Sequence, residues 1–359
     1  GGSQAGRLMK FYIHMPFCVR KCLYCDFYSS ADISRSDEYA SAVLKEAESY
    51  RGCSAETIYI GGGTPTAAPN ALLKIIDGVT DMLSLTADCE FTVEANPGTV
   101  TSGLLKSLKG MGVNRLSLGA QSFNGNELRA LGRIHSAADI FAAADAAHNA
   151  GFENISIDIM LATPLQTPGS LSHTIDCALS LDVPHVSAYS LIIEENTPFY
   201  NMELSLPDDD TEREMYYMLR SRLAEKNIMQ YEISNFAKKG FESRHNSAYW
   251  RREDYIGLGA AAHSCVGAAR FANAADTDLY ISGEGCRVEE VRLSAREIDL
   301  ERFMLGLRMT EGIEYNGEFP ERVKPLIKKG LLEKSGSRLR LTNRGIDLGN
   351  LVFMEFLDD

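Results

Sequence analysis

The sequence predicts an α/β fold: an incomplete (β/α)6 barrel of the TIM-like kind, followed by a small winged-helix-like domain. Between residues 11 and 193, short runs of β-branched and aromatic residues alternate with helical stretches, as parallel strands buried on both faces require. The six strands fall short of the eight that close a standard barrel. After residue 294 the pattern changes to two helices, a two-stranded ribbon and a last helix.

The elements of the predicted barrel follow one another at regular intervals. The strand candidates span residues 11–14, 57–60, 90–94, 115–118, 155–161 and 185–192, and the helical stretches between them span 37–50, 70–83, 103–109, 137–149 and 170–181. Ser136 followed by Asp139 is typical of a capping box, and Gly151 stands where a left-handed residue would end that helix.

Four segments follow from these patterns. Residues 1–8 read as an expression leader, 9–236 as the barrel, 237–293 as a segment carrying the motif HNxxYW, and 294–359 as the C-terminal domain. Within them, 208–226 predicts a helix and 230–236 a strand, and the C-terminal helices and ribbon are predicted at 294–309, 320–329, 332–342 and 344–357.

Composition narrows the class of protein. A net charge of −13 argues against a general nucleic-acid binder, whose affinity would come from neutralising phosphates. We find neither a bilayer-length apolar run nor a signal sequence, so we expect a cytoplasmic protein. Reduced, packed thiols are then expected at the five cysteines outside the motif described next, which are Cys53, Cys89, Cys177, Cys265 and Cys286.

Three cysteines in the spacing CxxxCxxC, Cys18, Cys22 and Cys25, begin where the first strand ends. Clustered thiolates suit zinc or an iron–sulfur centre, but a structural zinc site usually closes with a second ligand pair, which is missing here. A [4Fe–4S] cluster normally takes four cysteines, so three would leave one iron open for chemistry.

Polar residues also follow the later strands. A glycine run, Gly61–Gly63, comes after strand two, Glu94 ends strand three, Gln121 follows strand four, and Asp158 lies inside strand five. Because ligands of parallel barrels bind at the carboxyl ends of the strands, these residues predict a site on one rim. Missing side chains in the glycine run would let the backbone approach a ligand closely.

With GGGTPT at 61–66 behind it, the CxxxCxxC motif resembles the radical S-adenosylmethionine (SAM) superfamily. The resemblance implies an incomplete barrel, a [4Fe–4S] cluster on Cys18, Cys22 and Cys25, and SAM bound at the open iron. It also implies a set of SAM contacts on matching positions. These are Tyr12, Tyr24, Gly62, Gly63, Thr64, Glu94, Gln121, Arg133 and Asp158.

The lead-in Tyr-Ile-His-Met-Pro-Phe-Cys is similar to a narrower group, which contains oxygen-independent coproporphyrinogen III oxidase and the heme chaperone HemW. The oxidase carries a fourth cysteine where this chain has Phe27, and a longer N-terminal extension. Both differences favour a heme chaperone, with the oxidase as the alternative. Family members commonly read Gly-Leu-Pro where this chain has Ala162-Thr163-Pro164.

The expected partners are heme or a porphyrin and the client proteins that receive heme. We consider His245 and His263 as heme contacts, since neutral imidazole binds heme iron, and local hydrogen bonding is the alternative for His245. Tyr249 and Trp250 are expected to seal the open edge of the barrel. The basic C-terminal domain predicts a solvated face or contact with a protein or membrane surface rather than nucleic acid. Monomer and homodimer both remain open.

Overall fold

The computed structural model describes residues 6–283 and 287–357. Its main sheet contains the six predicted parallel strands, side by side in chain order. They are β1 (Leu8–Met15), β2 (Ser54–Gly62), β3 (Ser84–Ala95), β4 (Arg115–Gln121), β5 (Asn154–Leu161) and β6 (His185–Ser190). All six predictions are confirmed, and every residue of β4 is buried, as expected for a strand covered on both faces.

Helices cover the outside of these strands. They are α1 (Ser36–Ala47), α2 (Pro69–Met82), α3 (Ser102–Gly110), α4 (Gly125–Ala130), α5 (Ala137–Asn149) and α6 (Pro168–Ser180). The predicted capping box is confirmed, because Ser136 Oγ accepts from the Asp139 amide while the Asp139 carboxylate accepts from the Ser136 amide. Gly151 follows with φ +88°. The short helix α4 was not predicted.

Beyond β6, the sheet ends in a hairpin. Helix α7 (Asp209–Ala224) leads to β7 (Met229–Glu232) and β8 (Asn235–Ala237), and β8 pairs antiparallel with β6. The prediction of one strand over 230–236 is wrong, since a two-residue turn at positions 233–234 reverses the chain within it.

On the opposite side of β1, residues of the HNxxYW segment extend the sheet. Helix α8 (Arg244–Trp250) precedes β9 (Tyr255–Leu258), which pairs parallel with β1. Three antiparallel strands follow, β10 (His263–Val266), β11 (Ala269–Asn273) and β12 (Arg287–Arg292). Helix α9 (Thr277–Ser282) lies between β11 and β12 in the chain. The sheet thus has a seventh parallel strand that the sequence did not predict. A Cβ on Gly257 would lie 2.2 Å from the His263 carbonyl oxygen, so the close β9–β10 turn needs glycine there.

The C-terminal unit has its own core of leucine, valine and phenylalanine side chains. Its elements are α10 (Ala295–Gly306), β13 (Ile313–Glu314), α11 (Pro320–Lys328), β14 (Leu332–Ser335), β15 (Arg338–Leu341), α12 (Asn343–Asp347) and α13 (Gly349–Met354). The predicted order of helices and ribbon is confirmed, with β13 added as a third strand. The single last helix over 344–357 is wrong: non-helical angles at Leu348 divide it into α12 and α13.

Two sequence predictions, the leader and the reduced thiol of Cys286, concern residues that the structure describes only in part or not at all. Residues 1–5 of the predicted leader, and Cys286, lie outside the described region, whereas Leu8 already pairs with Ser54 in the sheet. No helix in 6–283 or 287–357 is long and apolar enough to cross a membrane.

Candidate functional site

The three motif cysteines lie on the loop that follows β1, as predicted. Cys18 is buried, and Cys22 and Cys25 are partly buried. The loop is held at its base by the Cys18 amide, which donates to the Ser30 carbonyl at 2.9 Å. Burial raises the pKa of the Cys18 thiol and that of Cys25, the latter to about 11, and the neighbouring thiols act in the same direction.

This donor set fits an iron–sulfur cluster. The three thiols are close enough for their charges to act on one another, and Arg133 Nη1 donates to Cys22 Sγ at 3.4 Å. Within the described residues, no three His, Cys, Asp or Glu side chains converge on a single metal ion. Clustered cysteine thiolates are the usual ligands of a [4Fe–4S] cluster, in which each cysteine ligates a different iron.

The glycine run packs directly against the cysteine loop. The Gly63 amide donates to the Met15 carbonyl at 2.9 Å, and the Thr64 amide donates to the Phe17 carbonyl at 2.7 Å. A Cβ on Gly62, which has φ +109°, would lie 2.4 Å from the His14 ring. A Cβ on Gly63 would lie 2.7 Å from the Phe17 carbonyl oxygen. The chain's own packing therefore requires glycine at these two positions, whether or not a ligand also approaches the backbone there.

A cavity of about 520 Å³, called here the central cavity, opens at the carboxyl ends of the strands and runs into the barrel. Five predicted SAM contacts and one cluster cysteine line it: Tyr12, Tyr24, Cys25, Gly62, Glu94 and Asp158. Gly62, Glu94 and Asp158 thus lie together at one rim, as their positions at the strand ends predicted.

The two carboxyl groups of the central cavity have different surroundings. Glu94 accepts from the Tyr59 hydroxyl at 2.7 Å and from the Gly62 amide at 3.1 Å, and burial raises its pKa. Burial, followed by the nearby Glu94 charge, raises the pKa of Asp158 to about 7, although Ser117 Oγ donates to it at 3.0 Å. Asp158 can therefore serve as either a donor or an acceptor near neutral pH.

The remaining predicted contacts form a network beside the cavity. Arg133 Nη2 donates to Asn96 Oδ1 at 2.6 Å, and Asn96 Nδ2 donates to Thr64 Oγ1 at 2.7 Å. The Tyr189 hydroxyl donates to Gln121 Oε1 at 2.9 Å. Arg133 and Thr64 thus reach the cysteine loop, and Gln121 is tied to the cavity wall through Tyr189.

The sequence reasoning missed Arg115, which lines the central cavity. Its side chain is 1% exposed, and among the described residues its Nε and Nη1 atoms have no hydrogen-bond partner. Unsatisfied donors on a buried guanidinium are costly, and the nearby Glu94 and Asp158 carboxylates, whose rise in pKa the Arg115 charge opposes, supply the opposite charge without hydrogen-bonding those two atoms. The sequence did contain a signal for Arg115, because it is a charged residue in a predicted buried strand, as Asp158 is. Tyr59, Asn96 and Tyr189 were also missed, and their residue types gave no comparable signal.

His245 lies on α8, 1% exposed, with both ring nitrogens engaged. Nδ1 is 2.7 Å from Thr57 Oγ1, and Nε2 is 2.8 Å from the Tyr249 hydroxyl. Its ring also stacks on Tyr59 at 5.2 Å. Burial, with Lys10 and Arg115 adding to it, lowers the pKa of His245 to about 3. In this arrangement His245 is a neutral, locally hydrogen-bonded imidazole.

His263 is exposed and lines a second cavity of about 520 Å³, called here the aromatic cavity. Six aromatic rings besides the histidines face it, from Tyr12, Phe27, Tyr28, Tyr249, Trp250 and Tyr255. Tyr12, Asp26, Phe27 and Tyr249 also line the central cavity, so the two cavities share a wall. Tyr249 therefore has a place in that wall beyond sealing an edge.

A cationic group borders the aromatic cavity. Arg252 Nε and Arg270 Nε both donate to Glu301, at 2.8 Å and 2.7 Å, so two positive charges share one carboxylate. The Nη2 atom of Arg252 is buried with no hydrogen-bond partner in residues 6–283 and 287–357, and the side chain is 9% exposed. This end of the cavity is suited to an anionic group.

Comparison with known proteins places the chain in a family. Residues 12–178 match the model of the radical SAM superfamily, and residues 293–348 match that of the HemN C-terminal domain. Heme chaperone HemW of Bacillus subtilis is 41% identical, over 97% of this chain and 99% of its own length. The chain belongs to the HemW family of the radical SAM superfamily. HemW of Lactococcus lactis is 36% identical over 97% of both chains.

A solved structure supports the fold of this HemW-family chain. Coproporphyrinogen III oxidase (HemN) from Escherichia coli superposes with a TM-score of 0.86, covering 99% of this chain and 91% of its own, at 22% identity. That likeness confirms the fold class, including the C-terminal unit. Membership of the radical SAM superfamily implies a [4Fe–4S] cluster and SAM, for which Cys18, Cys22, Cys25 and the central cavity provide the fitting residues.

Proposed function

We propose that this protein is a heme chaperone, which binds heme in the aromatic cavity and delivers it to client proteins. The aromatic cavity carries the proposal, because it combines an exposed imidazole, aromatic walls and the buried guanidinium of Arg252, whose Nη2 atom has no hydrogen-bond partner among the described residues. The HemW relatives, named heme chaperones, support the same function.

The chemistry of the aromatic cavity matches that of heme. Heme is flat and apolar, carries two carboxylates, and binds proteins through an axial ligand to its iron. His263 is the proposed axial ligand, since it is exposed on the cavity wall. Arg252 Nη2 is the proposed partner of a heme carboxylate, which would satisfy a donor that has no acceptor in the part of the chain that the structure describes.

We assign His245 a supporting role. Its two ring hydrogen bonds fix Tyr249, which stands in the shared wall, against Thr57 of β2. Because both nitrogens are engaged, iron ligation by His245 would require breaking one of these buried bonds, at about 1–3 kcal/mol. His263 requires no such change.

The SAM centre is proposed beside the heme. Cys18, Cys22 and Cys25 would hold the cluster, and Tyr12, Tyr24, Gly62, Gly63, Thr64, Glu94, Gln121, Arg133 and Asp158 would hold or position SAM. When bound, cluster and SAM supply a source of electrons and of a carbon-centred radical. Tyr12 lines both cavities, so this side chain would touch both ligands.

Heme titration of the anaerobically reconstituted full chain tests the proposal. We expect a Soret band that saturates at one heme per chain in the wild type, and that shifts or weakens in His263→Ala. The matched control is His173→Ala, which removes an exposed histidine of α6 outside the cavity. Equal spectra for wild type and His263→Ala would contradict His263 as the ligand.

Delivery requires a separate measurement. Heme should pass to the apo-form of a respiratory heme protein faster than it dissociates into excess apomyoglobin, since a chaperone transfers its ligand by direct contact. Equal rates of transfer and of dissociation would indicate that the protein stores heme and does not deliver it. Decarboxylation of coproporphyrinogen III by the reconstituted chain, with SAM and a reductant, would overturn the proposal in favour of the oxidase.

A further inference from the structure

A third cavity, of about 600 Å³, lies where the C-terminal unit meets the β7 edge of the main sheet and the end of α10. Four arginines line it: Arg220, Arg308, Arg340 and Arg344. The one acidic side chain among its lining residues is Glu333. We call it the arginine cavity. In a chain with a net charge of −13, four cations around one opening are unusual.

The acid that lines the cavity neutralises only one of these cations. Glu333 is paired with Arg340 at 2.8 Å. Arg220 donates to the neutral Asn343 Oδ1 at 3.0 Å. Arg344 is exposed and, within the described residues, has no ion-pair partner. The cavity therefore keeps an excess of positive charge.

Arg308 is the most unusual member. Its guanidinium lies over the rings of Trp250, at 4.4 Å, and Phe353, at 5.5 Å, so two aromatic side chains pack close to it. Its Nε atom is buried and finds no hydrogen-bond partner in the described part of the chain. Burial lowers the pKa of Arg308, and the nearby charge of Glu232 acts in the opposite direction. A guanidinium donates strongly in its own plane, and the Nε donor of Arg308 is unused among the described residues.

We propose that the arginine cavity binds a small phosphate-bearing polyanion, through Arg308 and Arg344 with support from Arg220. Guanidinium groups bind phosphate oxygens through paired N–H donors, and a tetrahedral group accepts donors from several directions at once. The volume falls in the usual range of small-molecule sites and leaves room for more than one phosphate. This site lies apart from the cluster and SAM residues and does not depend on the heme function.

The chain contains its own reporter for this site. Trp250 is the only tryptophan, and Arg308 lies over its ring. A ligand that draws the guanidinium towards itself changes the environment of that indole. Trp250 also lines the aromatic cavity, so the measurement must use heme-free protein.

The experiment is a titration of the heme-free full chain with pyrophosphate at constant ionic strength, followed by tryptophan fluorescence and by calorimetry. We expect saturable one-to-one binding accompanied by a change in Trp250 emission. Arg344→Gln and Arg308→Gln should each weaken binding about tenfold or more, the effect of removing a charge-assisted hydrogen bond. Lys324→Gln, a matched loss of one exposed charge on α11 outside the cavity, should change binding by less than about twofold.

Each other outcome decides against the proposal. Absence of pyrophosphate binding, wild-type affinity in Arg344→Gln, or an equal loss in Lys324→Gln would overturn it. Arg344 is exposed, so its variant keeps the test valid even where Arg308→Gln fails to fold. Citrate binding more tightly than pyrophosphate would overturn the phosphate assignment and identify a carboxylate ligand.

Discussion

The Nδ1 atom of His245 lies 2.7 Å from Thr57 Oγ1, joining helix α8 to strand β2 across 188 residues of sequence. Its Nε2 atom meets the Tyr249 hydroxyl at 2.8 Å. The imidazole therefore links the sheet to the wall between the two cavities. This arrangement changes what substitutions in the HNxxYW motif are expected to do.

His245→Ala should lower the free energy of unfolding by roughly 3 kcal/mol, because it leaves Thr57 and Tyr249 unpaired and opens a cavity. His263→Ala should cost less than about 0.5 kcal/mol, since that side chain is exposed. Urea unfolding of both variants measures the difference. A stable His245→Ala protein that has lost its Soret band would instead make His245 the heme ligand.

The buried imidazole also predicts a pH dependence. The pKa of His245 is about 3 in the folded protein, against about 6.5 in the unfolded chain. Its contribution to stability is present above pH 6.5 and is lost as the pH falls towards 3, because the unfolded state takes up the proton first. Relative to His245→Gln, the wild type should lose about 1.4 kcal/mol per pH unit below 6.5. Parallel stability curves for the two proteins between pH 6.5 and 4.5 would contradict this.

Replacing any one of Cys18, Cys22 and Cys25 by alanine should abolish the brown cluster absorbance after anaerobic reconstitution. Cys53→Ala and Cys177→Ala should leave it unchanged, since those thiols lie elsewhere in the fold. Iron and sulfide analysis of each variant provides the measurement. A full cluster in a Cys25→Ala protein would remove Cys25 from the ligand set.

Glu94→Gln should weaken SAM binding by about 1.5–3 kcal/mol, the usual loss for a hydrogen bond to a charged group. Glu90→Gln is the matched control from the same strand. Glu90 accepts from the His245 amide at 3.0 Å and caps α8, so its loss should reduce stability and leave SAM affinity alone. Equilibrium dialysis of both variants distinguishes the roles, and unchanged affinity in Glu94→Gln would exclude it as a contact.

Gly62→Ala should destabilise the protein by about 2 kcal/mol or more even without SAM. The new methyl would overlap the His14 ring, and φ +109° is strained for any residue with a Cβ. Gly98→Ala should be tolerated within about 0.5 kcal/mol, because nothing lies within 4 Å of its Cβ position. Thermal unfolding of the apo-protein compares them. If Gly62→Ala melts at the wild-type temperature, the glycine run serves the ligand alone.

The sequence predicted those parts of the fold whose signal is local. Strands β1 to β6 carry runs of apolar residues, and the capping box at Ser136 involves residues three apart. Strand β9 was missed because four residues with a central glycine carry little pattern, and its partner β1 is about 245 residues away. The helix break at Leu348 was missed because no proline marks it.

The candidate site shows the same division. Glu94 and Asp158 were found because polar residues at the ends of parallel strands meet at one rim. The hydrogen-bonded state of His245 could not be predicted, since its partners Thr57 and Tyr249 are brought together by tertiary packing alone. The unpaired atoms of Arg252 and Arg308 likewise become visible only from their surroundings.

Strand β1, which leads into the cysteine loop, lies between β2 and β9. The edge of β1 that faces β2 can form its hydrogen bonds once residue 62 has been synthesised. The edge that faces β9 can do so only after residue 258 has been synthesised. During synthesis, β1 is therefore an edge strand with one row of backbone groups unpaired, which is the usual template for aggregation. A fragment ending near residue 240 would keep that exposed edge permanently. We therefore expect such fragments to be insoluble even though all three cysteines are present.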